Sequence, residues 1–319
     1  MGVGRSPTET LMAKPPRKGT KKRAGLPKAS ARRAPAPTPA RTPSGGRGRP
    51  SAGRGKSSAG GAPTRATSKR QGLGGDQVEG RQAVRELLLT RRRRVQEIWL
   101  LAEQDPSDVV ADIVELAEAE RVPVRSVGRS KFFAEARCEA PQGVLAKAAP
   151  LEPTSLEDLA APRGSTAPFL VAVDGVTDPG NLGALLRSAE CAGATGVVLP
   201  RHRAVHVTPT VTKAAAGAVE HLRFAVVGGL PAALQQLSSR GVWVVGLAGE
   251  ATTGLWDLPA ADGPIALVLG AEGSGLSRLV QQRCDELVQI PLRGALGSLN
   301  VSVAGALACF EVARARAAD

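Results

Sequence analysis

Short apolar strands alternate with helical segments over residues 76–319, and this alternation constrains the fold more than any other feature of the chain. A chain in which strands and helices alternate is typical of α/β domains, where helices cover a sheet. The pattern repeats several times in the later part of the sequence. The strands predicted there are Phe169–Val173, Gly196–Leu199, Arg223–Val227, Val242–Leu247, Ile265–Leu269 and Leu287–Pro291. The sequence therefore predicts an α/β fold.

A stretch rich in Pro and Gly divides this region into two domains. Residues 76–150 are predicted to form a small α/β domain, and residues 168–319 a larger one. Residues 151–167 contain Pro and Gly at positions that interrupt any long element, so they are predicted to be a linker.

The small domain contains a helix and a run of basic residues. Helical spacing begins at Val78, and the helix is expected to end in the run Arg91–Arg94. Basic residues suit a helix C-terminus, so the run can be read as a solvated cap. No residue of this domain suggests catalysis. Its expected role is binding, with Arg81 and Arg91–Arg94 as candidates for phosphate contacts.

The positive charge of the chain is concentrated at its start. The net charge is +13, but residues 1–70 hold 18 Lys or Arg and one acid, Glu9, a net charge of +17, and the remainder carries −4. This start has no aromatic residue and few aliphatic ones, so it cannot bury enough apolar surface to offset chain entropy. Residues 1–72 are predicted to be a disordered basic tail that contacts nucleic-acid phosphates. A tail that only increases solubility and an organellar transit peptide are the alternatives.

Composition excludes several classes of protein. No run of about 18 apolar residues predicts a transmembrane helix, and no apolar signal-peptide segment opens the sequence. The four cysteines are scattered without a CxxC pair, which argues against a zinc site or a disulfide framework and favours a reducing compartment. A cytoplasmic protein without a metal is expected. The absence of Tyr and the presence of only three Trp argue against aromatic platforms for stacked bases.

Three loops of the larger domain carry the candidate functional residues. Residues 174–181 are dense in turn formers, residues 270–275 contain three glycines, and residues 292–299 precede the last helix. Each loop follows a strand and precedes a helix, and open α/β sheets bind ligands at the carboxyl ends of their strands. The glycine spacing is not GxGxxG, which disfavours a nicotinamide cofactor. Together the loops predict a binding site at that edge of the sheet.

The residues in and around these loops form three motifs. They are DGVTDPGNLGALLRSAECAG at 174–193, LVLGAEGSGLS at 267–277 and IPLRGALGSLNVSVAGALACFE at 290–311. In this order and spacing they closely resemble the SpoU (TrmH-type) family of RNA ribose 2′-O-methyltransferases. The small domain resembles the substrate-binding domain of that family, and the chain is most similar to members that methylate a guanosine of bacterial 23S rRNA. Gly180 is a departure, because a His is expected there.

The resemblance implies a fold, a cofactor and partners. It implies a SPOUT domain with a deep trefoil knot over residues 168–319, S-adenosylmethionine as methyl donor, an RNA substrate and a homodimer. The residues that it implies for the cofactor, held mostly through their backbone, are Leu269, Gly270, Ile290, Pro291, Leu292 and Leu299. The residue that it implies for catalysis is Arg187. The residues that it implies for orienting Arg187 and the ribose are Asn181, Glu272, Ser298 and Asn300.

The implied reaction asks little of the side chains. A methyl group on a sulfonium is already activated, so its transfer mainly requires positioning. The three motifs contain no His or Lys that could take the proton of the ribose hydroxyl. A guanidinium stays protonated, so Arg187 is expected to lower the pKa of that hydroxyl and to hold the neighbouring phosphate. A tRNA methyltransferase of the same family and a non-catalytic RNA-binding protein with the same fold are the alternatives.

Overall fold

The computed structural model of the protein describes residues 73–202, 206–258 and 262–317. All of these residues belong to one compact unit, Ala66–Asp319. The predicted basic tail, residues 1–72, lies outside the described residues. In the part of the chain that is described, no helix combines the length and the apolar character that a membrane span requires.

A four-stranded sheet forms the first part of this unit. Its elements are β1 (Gln77–Glu79), α1 (Arg81–Thr90), β2 (Val95–Leu101), α2 (Asp108–Ala119), β3 (Val124–Val127), α3 (Arg129–Glu135) and β4 (Val144–Ala148). The strand order is β1-β4-β2-β3, with β2 and β3 parallel and the other neighbours antiparallel. Helices α1 and α2 pack on the sheet through a core that includes Leu87, Ile98 and Ile113, all fully buried.

The start of this sheet differs from the helix expected at Val78. Val78 is the middle residue of β1, and the chain changes direction at Gly80, whose φ of 100° suits glycine. The neighbouring Glu79 is fully buried and accepts hydrogen bonds from the backbone N–H groups of Arg137 (2.7 Å) and Cys138 (3.0 Å). These long-range bonds hold the segment as a strand, and local helical spacing cannot reveal them.

A seven-stranded parallel sheet forms the larger part of the unit. Its elements are α4 (Leu156–Ala160), β5 (Phe169–Asp174), α5 (Pro179–Cys191), β6 (Gly196–Pro200), α6 (Pro209–Ala214), β7 (Phe224–Val227), α7 (Leu230–Ser238), β8 (Trp243–Leu247), β9 (Thr253–Gly254), β10 (Ile265–Gly270), α8 (Arg278–Gln281), β11 (Glu286–Gln289) and α9 (Val301–Arg316). The strand order is β7-β6-β5-β10-β8-β11-β9, and every neighbouring pair is parallel. The predicted α/β fold is confirmed, and its larger sheet is parallel.

The last helix, α9, packs on α5 and β10 through small residues. At Gly305, an added Cβ atom would lie 2.4 Å from Leu185 Cδ1 and 2.8 Å from Leu269 Cδ1, so any side chain there would have to displace these two buried leucine methyl groups. The apolar residues at helical spacing, Val303, Leu307 and Phe310, are instead 48, 38 and 52% exposed. Helix α9 therefore turns its small residues to the core and its large apolar residues to solvent.

One buried ion pair joins the two sheets. Arg93, just before β2, donates to both carboxylate oxygens of Glu220, at 2.6 and 2.9 Å, and Glu220 lies in a short 3₁₀ helix before β7. The Arg93 and Glu220 side chains are 6 and 1% exposed. Arg93 also donates to the backbone oxygens of Gly75 and Ala149. Arg93, one member of the basic run at 91–94, is therefore buried and bonded to other residues of the protein.

Candidate functional site

The three candidate loops meet at the carboxyl edge of the parallel sheet, where one amide joins their side chains. Asn300 Nδ2 donates to Asn181 Oδ1 at 2.9 Å and to Glu272 Oε1 at 2.6 Å. Asn181 lies in the first turn of α5, just after the loop that follows β5, whereas Glu272 belongs to the loop after β10 and Asn300 to the loop after β11. Residues up to 119 positions apart in the chain thus form one hydrogen-bonded cluster, called here the amide cluster (Asn181, Glu272 and Asn300).

Helix starts hold two members of the amide cluster. Asn300 caps α9, and its Oδ1 accepts from the backbone N–H of Ser302 at 2.9 Å, which directs the amide nitrogen toward Asn181 and Glu272. Asp178 caps α5 by accepting from the backbone N–H of Asn181 at 2.7 Å. The same residues that start these helices therefore position the side chains at the site.

The second loop is built on glycine. A Cβ atom at Gly270 would lie 2.1 Å from the carbonyl carbon of Gly275, so the backbone passes too close for any side chain. Gly273 and Gly275 have φ values of 78° and 64°. Asp174 Oδ2 accepts from the backbone N–H of Ser277 at 2.7 Å and ties the end of β5 to this loop. The fold thus presents Glu272 on a tight, well-bonded turn.

A cleft of about 290 Å³ lies beside the amide cluster. The predicted cofactor residues that line it are Leu269, Gly270, Ile290, Leu292 and Leu299, and the predicted orienting residues that line it are Glu272 and Ser298. Pro291, also predicted, is not among the lining residues. The lining residues that the sequence analysis missed are Leu247, Gly249, Glu250, Gly297, Val301 and Ala304. The signal for Leu247 and Gly249 was present, because Leu247 ends β8 and Gly249 follows it at the same edge of the sheet.

Within a single chain, the Arg187 side chain lies away from the amide cluster. It is on α5, six residues after Asn181, which is about 9 Å along the axis and about 120° around it. Its side chain is exposed and lines a separate surface pocket together with Glu86 and Glu190. It forms no hydrogen bond or ion pair with any described residue. The structure brings together Asn181, Glu272 and Asn300, with Ser298 on the adjoining cleft, and leaves Arg187 on another face.

The two cysteines of the motifs, Cys191 and Cys309, are poor nucleophiles. Burial raises the pKa of the Cys191 thiol, next to Arg187 in its surface pocket, and the Glu190 carboxylate adds to the shift. Burial raises the pKa of Cys309, on the core-facing side of α9, to about 12. Both thiols are therefore protonated at neutral pH. Among residues 73–202, 206–258 and 262–317, no group of His, Cys, Asp and Glu is arranged to hold a metal ion.

Known proteins resemble this chain in sequence. The SpoU rRNA Methylase family matches residues 168–310, and the family RNA 2′-O ribose methyltransferase substrate binding matches residues 77–154. The 23S rRNA (guanosine-2′-O-)-methyltransferase RlmB of Photobacterium profundum is 38% identical over 245 residues, covering 76% of this chain and 99% of the relative. The RlmB enzyme of Pseudomonas aeruginosa is 41% identical over 246 residues, covering 76% and 97%.

A solved structure has the same fold. The SpoU methyltransferase AviRb from Streptomyces viridochromogenes, in complex with the cofactor AdoMet, matches with a TM-score of 0.63 and 24% identity, covering 76% of this chain and 90% of that chain. The sequence identity and coverage of the two RlmB enzymes establish the family. The chain belongs to the SpoU rRNA methylase family, as its motifs predict.

Proposed function

We propose that the protein transfers a methyl group from S-adenosylmethionine to a ribose 2′-hydroxyl of RNA, and that its target is a guanosine of 23S rRNA. The observation that carries the proposal is the Asn300 amide, which joins Asn181 and Glu272 beside a cleft built on glycine. The two RlmB relatives support the reaction and the substrate, since each is named for methylation of guanosine in 23S rRNA.

The cleft fits S-adenosylmethionine. Leu269, Ile290 and Leu292 supply apolar walls for an adenine ring, and the bare backbone at Gly270 lets the cofactor approach main-chain donors and acceptors. The cleft volume of about 290 Å³ is near the lower end of the usual range for small-molecule sites. The AdoMet complex of AviRb, which has the same fold, supports this assignment.

The side chains orient the ribose. When bound, S-adenosylmethionine supplies a methyl group already activated by its positive sulfur, so positioning of the acceptor dominates the catalysis. The bonds to Asn300 occupy Asn181 Oδ1 and Glu272 Oε1, which leaves Asn181 Nδ2 to donate and Glu272 Oε2 to accept. Glu272 Oε2 accepts the hydrogen bond of the 2′-hydroxyl, and Asn181 Nδ2 holds a neighbouring oxygen. Ser298 lines the same cleft.

Arg187 acts at the site of a partner subunit. It is exposed and lies on another face of the chain from the amide cluster, so it needs a second copy to reach the reacting hydroxyl. A guanidinium stays protonated, so its role is to stabilise the developing oxyanion and to hold the adjacent phosphate.

A homodimer buries the exposed stripe of α9. Val303, Leu307 and Phe310 form an apolar face on this helix, and Leu296, in the loop before it, is 81% exposed. Contiguous exposed apolar side chains are typical of protein–protein interfaces. Because the same helix begins at Asn300, a dimer through this face places the partner beside the amide cluster.

Mixing two inactive variants tests the shared site. Arg187→Ala and Asn300→Asp each lack one half of it, and a mixed dimer contains one site with both halves intact. Random exchange of subunits makes half of the dimers mixed, so about a quarter of parental activity is expected to return. Each variant alone, taken through the same unfolding and refolding, is the control. If mixing restores nothing while mixed dimers form, Arg187 does not act across subunits.

Within the larger domain, the chain forms the trefoil knot that the family resemblance implies. Support comes from α9, which is the last element yet packs on α5 and β10 in the middle of the sheet, so the chain must return there after β11. The protein acts in the cytoplasm, where 23S rRNA is assembled.

The basic charge of residues 1–72 adds affinity for RNA phosphates, whereas the choice of nucleotide belongs to the folded domains.

Transfer of labelled methyl groups tests the reaction and its target. Ribosomal RNA from a strain that lacks the gene is incubated with labelled S-adenosylmethionine and the purified protein, with tRNA from the same strain in parallel. Label is expected on one 2′-O-methylguanosine of 23S rRNA. Label on tRNA alone contradicts the target, and no label on either RNA contradicts the enzyme. Asn300→Asp, which keeps the helix cap, is the matched inactive control.

A further inference from the structure

A groove rich in arginine lies on the seam between the two sheets, away from the amide cluster. It has a volume of about 450 Å³ and is called here the seam groove. Three arginines line it: Arg92 comes from the loop after α1, Arg163 from the turn before β5, and Arg223 from the residue before β7. The groove thus collects guanidinium groups from both parts of the unit.

The acids at the seam groove do not neutralise these arginines. Arg92 donates to the backbone oxygens of Glu220 (2.6 Å) and Leu222 (3.0 Å), and to no carboxylate. Glu86, the acid that lines the groove, is bonded to His221 at 2.9 Å and to Arg85 at 3.4 Å. Within the described part of the chain, neither Arg163 nor Arg223 forms an ion pair. The groove therefore carries excess positive charge.

One nitrogen of the Arg223 guanidinium lacks an acceptor. Its Nε donates to the backbone oxygen of Thr195 at 3.5 Å and its Nη1 to that of Asp158 at 3.2 Å, but its Nη2 is buried and has no partner among the described residues. Burial lowers the pKa of the Arg223 guanidinium, and the positive charges of Arg163 and Arg92 lower it further, while the nearby Asp158 carboxylate opposes the shift without cancelling it. Three cations that repel each other around a polar cavity are stabilised by a bound anion.

A second basic pocket continues the seam groove along the small sheet. It has a volume of about 610 Å³ and shares Arg92 with the groove. Arg94 and Arg121 line it, and neither forms an ion pair with a described residue. Arg91 is paired with Glu120 at 2.7 Å. Unpaired arginines thus follow one another along a surface, a spacing that suits a chain of phosphates better than one isolated anion.

We propose that the seam groove, with its continuation at Arg94 and Arg121, binds the phosphodiester backbone of the substrate RNA at a distance from the site of methyl transfer. The proposal rests on RNA being the substrate, as proposed above. Arginine is the residue best suited to this role, because its planar guanidinium donates two parallel hydrogen bonds to a phosphate.

The position of the groove sets the size of the RNA that uses it. Arg223 precedes β7 and so lies at the amino edge of the parallel sheet, whereas Gly270 ends β10 at the carboxyl edge. Strands of five or six residues at about 3.3 Å each separate the two edges by about 17–20 Å. An RNA of a few nucleotides can fill the cleft alone, but only a longer, folded RNA reaches both places.

Charge reversal at Arg163 and Arg94 tests the groove. Both side chains are exposed, and neither forms an internal side-chain bond that its loss would break. Binding of a 23S rRNA fragment to Arg163→Glu and Arg94→Glu is measured over a range of salt concentrations. The slope of log affinity against log salt should become less steep by about 0.7–0.9 for each lost phosphate contact, which is about a five- to eightfold loss of affinity at 0.1 M salt.

Arg283→Glu is the matched control. Arg283 is also exposed and follows α8, beside β11, which is five strand positions from β7 and so about 24 Å away. The Arg283→Glu variant makes the same change of charge outside the groove, so its slope of log affinity against log salt should equal that of the parent. Methylation of an oligonucleotide of a few residues should stay unchanged in all three variants, because such an RNA does not reach the groove.

Three outcomes would overturn the proposal or its basis. If Arg163→Glu and Arg94→Glu keep the parental salt slope, the groove does not hold RNA. If Arg283→Glu lowers the slope equally, overall charge and not the groove governs binding. If the parent binds no RNA at all while it still binds S-adenosylmethionine, the proposed RNA substrate fails together with the groove. Only the first two results leave the proposed methyl transfer standing.

Discussion

Replacing Glu220 by Gln should strongly destabilise the folded protein, although the residue is far from the amide cluster. The side chain keeps its shape but loses the charge that faces Arg93 across 2.6 and 2.9 Å. Arg93 then remains as a cation in a site where its side chain is only 6% exposed. A guanidinium cannot shed its proton to escape this penalty.

The magnitude follows from the degree of burial. Breaking a buried pair by removing one partner costs about 3–5 kcal/mol. Arg93 keeps the backbone oxygens of Gly75 and Ala149 as acceptors, so the lower end, about 3 kcal/mol, is expected. Against a total stability of about 5–15 kcal/mol, this is a large fraction.

Urea denaturation measures the loss. With a slope of about 3 kcal/mol per molar urea for a unit of this size, the midpoint should fall by about 1 M. Far-UV circular dichroism and tryptophan fluorescence are recorded together, because coincident curves are needed for a two-state reading. Trp99 reports on the small sheet, and Trp243 and Trp256 report on the larger one.

A double variant separates the pair from the position. Arg93→Met combined with Glu220→Leu removes both charges, so it should be more stable than Glu220→Gln, although two backbone oxygens lose a donor. A fall of less than about 0.3 M in the midpoint for Glu220→Gln would refute the reasoning, because it would mean that water or another group compensates the Arg93 charge.

Three further outcomes are expected. Asn300→Asp should keep the cap of α9 but place a second carboxylate against Glu272. The rate of methyl transfer should therefore fall by at least about 10²-fold, while the cofactor affinity measured by calorimetry stays nearly unchanged. Near-parental transfer would exclude the amide cluster from the mechanism. Gly270→Ala should abolish S-adenosylmethionine binding in calorimetry while circular dichroism stays folded, because the Cβ forces the loop backbone to move; parental affinity would exclude this loop from the cleft. At pH 8, iodoacetamide should label the exposed Cys191 well before the buried Cys309, as mass spectrometry can follow. Labelling should become faster as the pH rises toward the raised pKa values, since only the thiolate reacts. Equal labelling rates for the two cysteines would contradict the burial of Cys309.

Local sequence was sufficient for much of the site. Asp178-Pro179 is a typical helix start, and Asn300 caps the last helix as its position before an apolar segment indicates. Parallel strands end at one edge, so loops that follow them converge there whatever their separation in the chain. The meeting of Asn181, Glu272 and Asn300 could therefore be expected before any coordinates.

Long-range contacts account for what the sequence did not reveal. The basic run at 91–94 predicts a solvated cap, but Arg93 is buried and paired with Glu220. Local sequence cannot reveal this pair, because Glu220 lies 127 residues away. Helical spacing gives the direction in which Arg187 points relative to Asn181, yet it cannot say what lies opposite. The apolar spacing of Val303 and Phe310 likewise predicts an apolar face without stating whether the core or another molecule covers it.

Gly305 has a consequence for how mutations in this protein are interpreted. Leu185 and Leu269 touch the space that its missing side chain would occupy, and these two residues belong to the helix that starts near Asn181 and to the strand that leads into the Glu272 loop. Even an alanine there would displace these two buried leucine side chains and disturb the packing that aligns the three elements. In a mutational scan, a position without a side chain would thus score as catalytic, and a loss of activity at residue 305 would report on alignment, not chemistry.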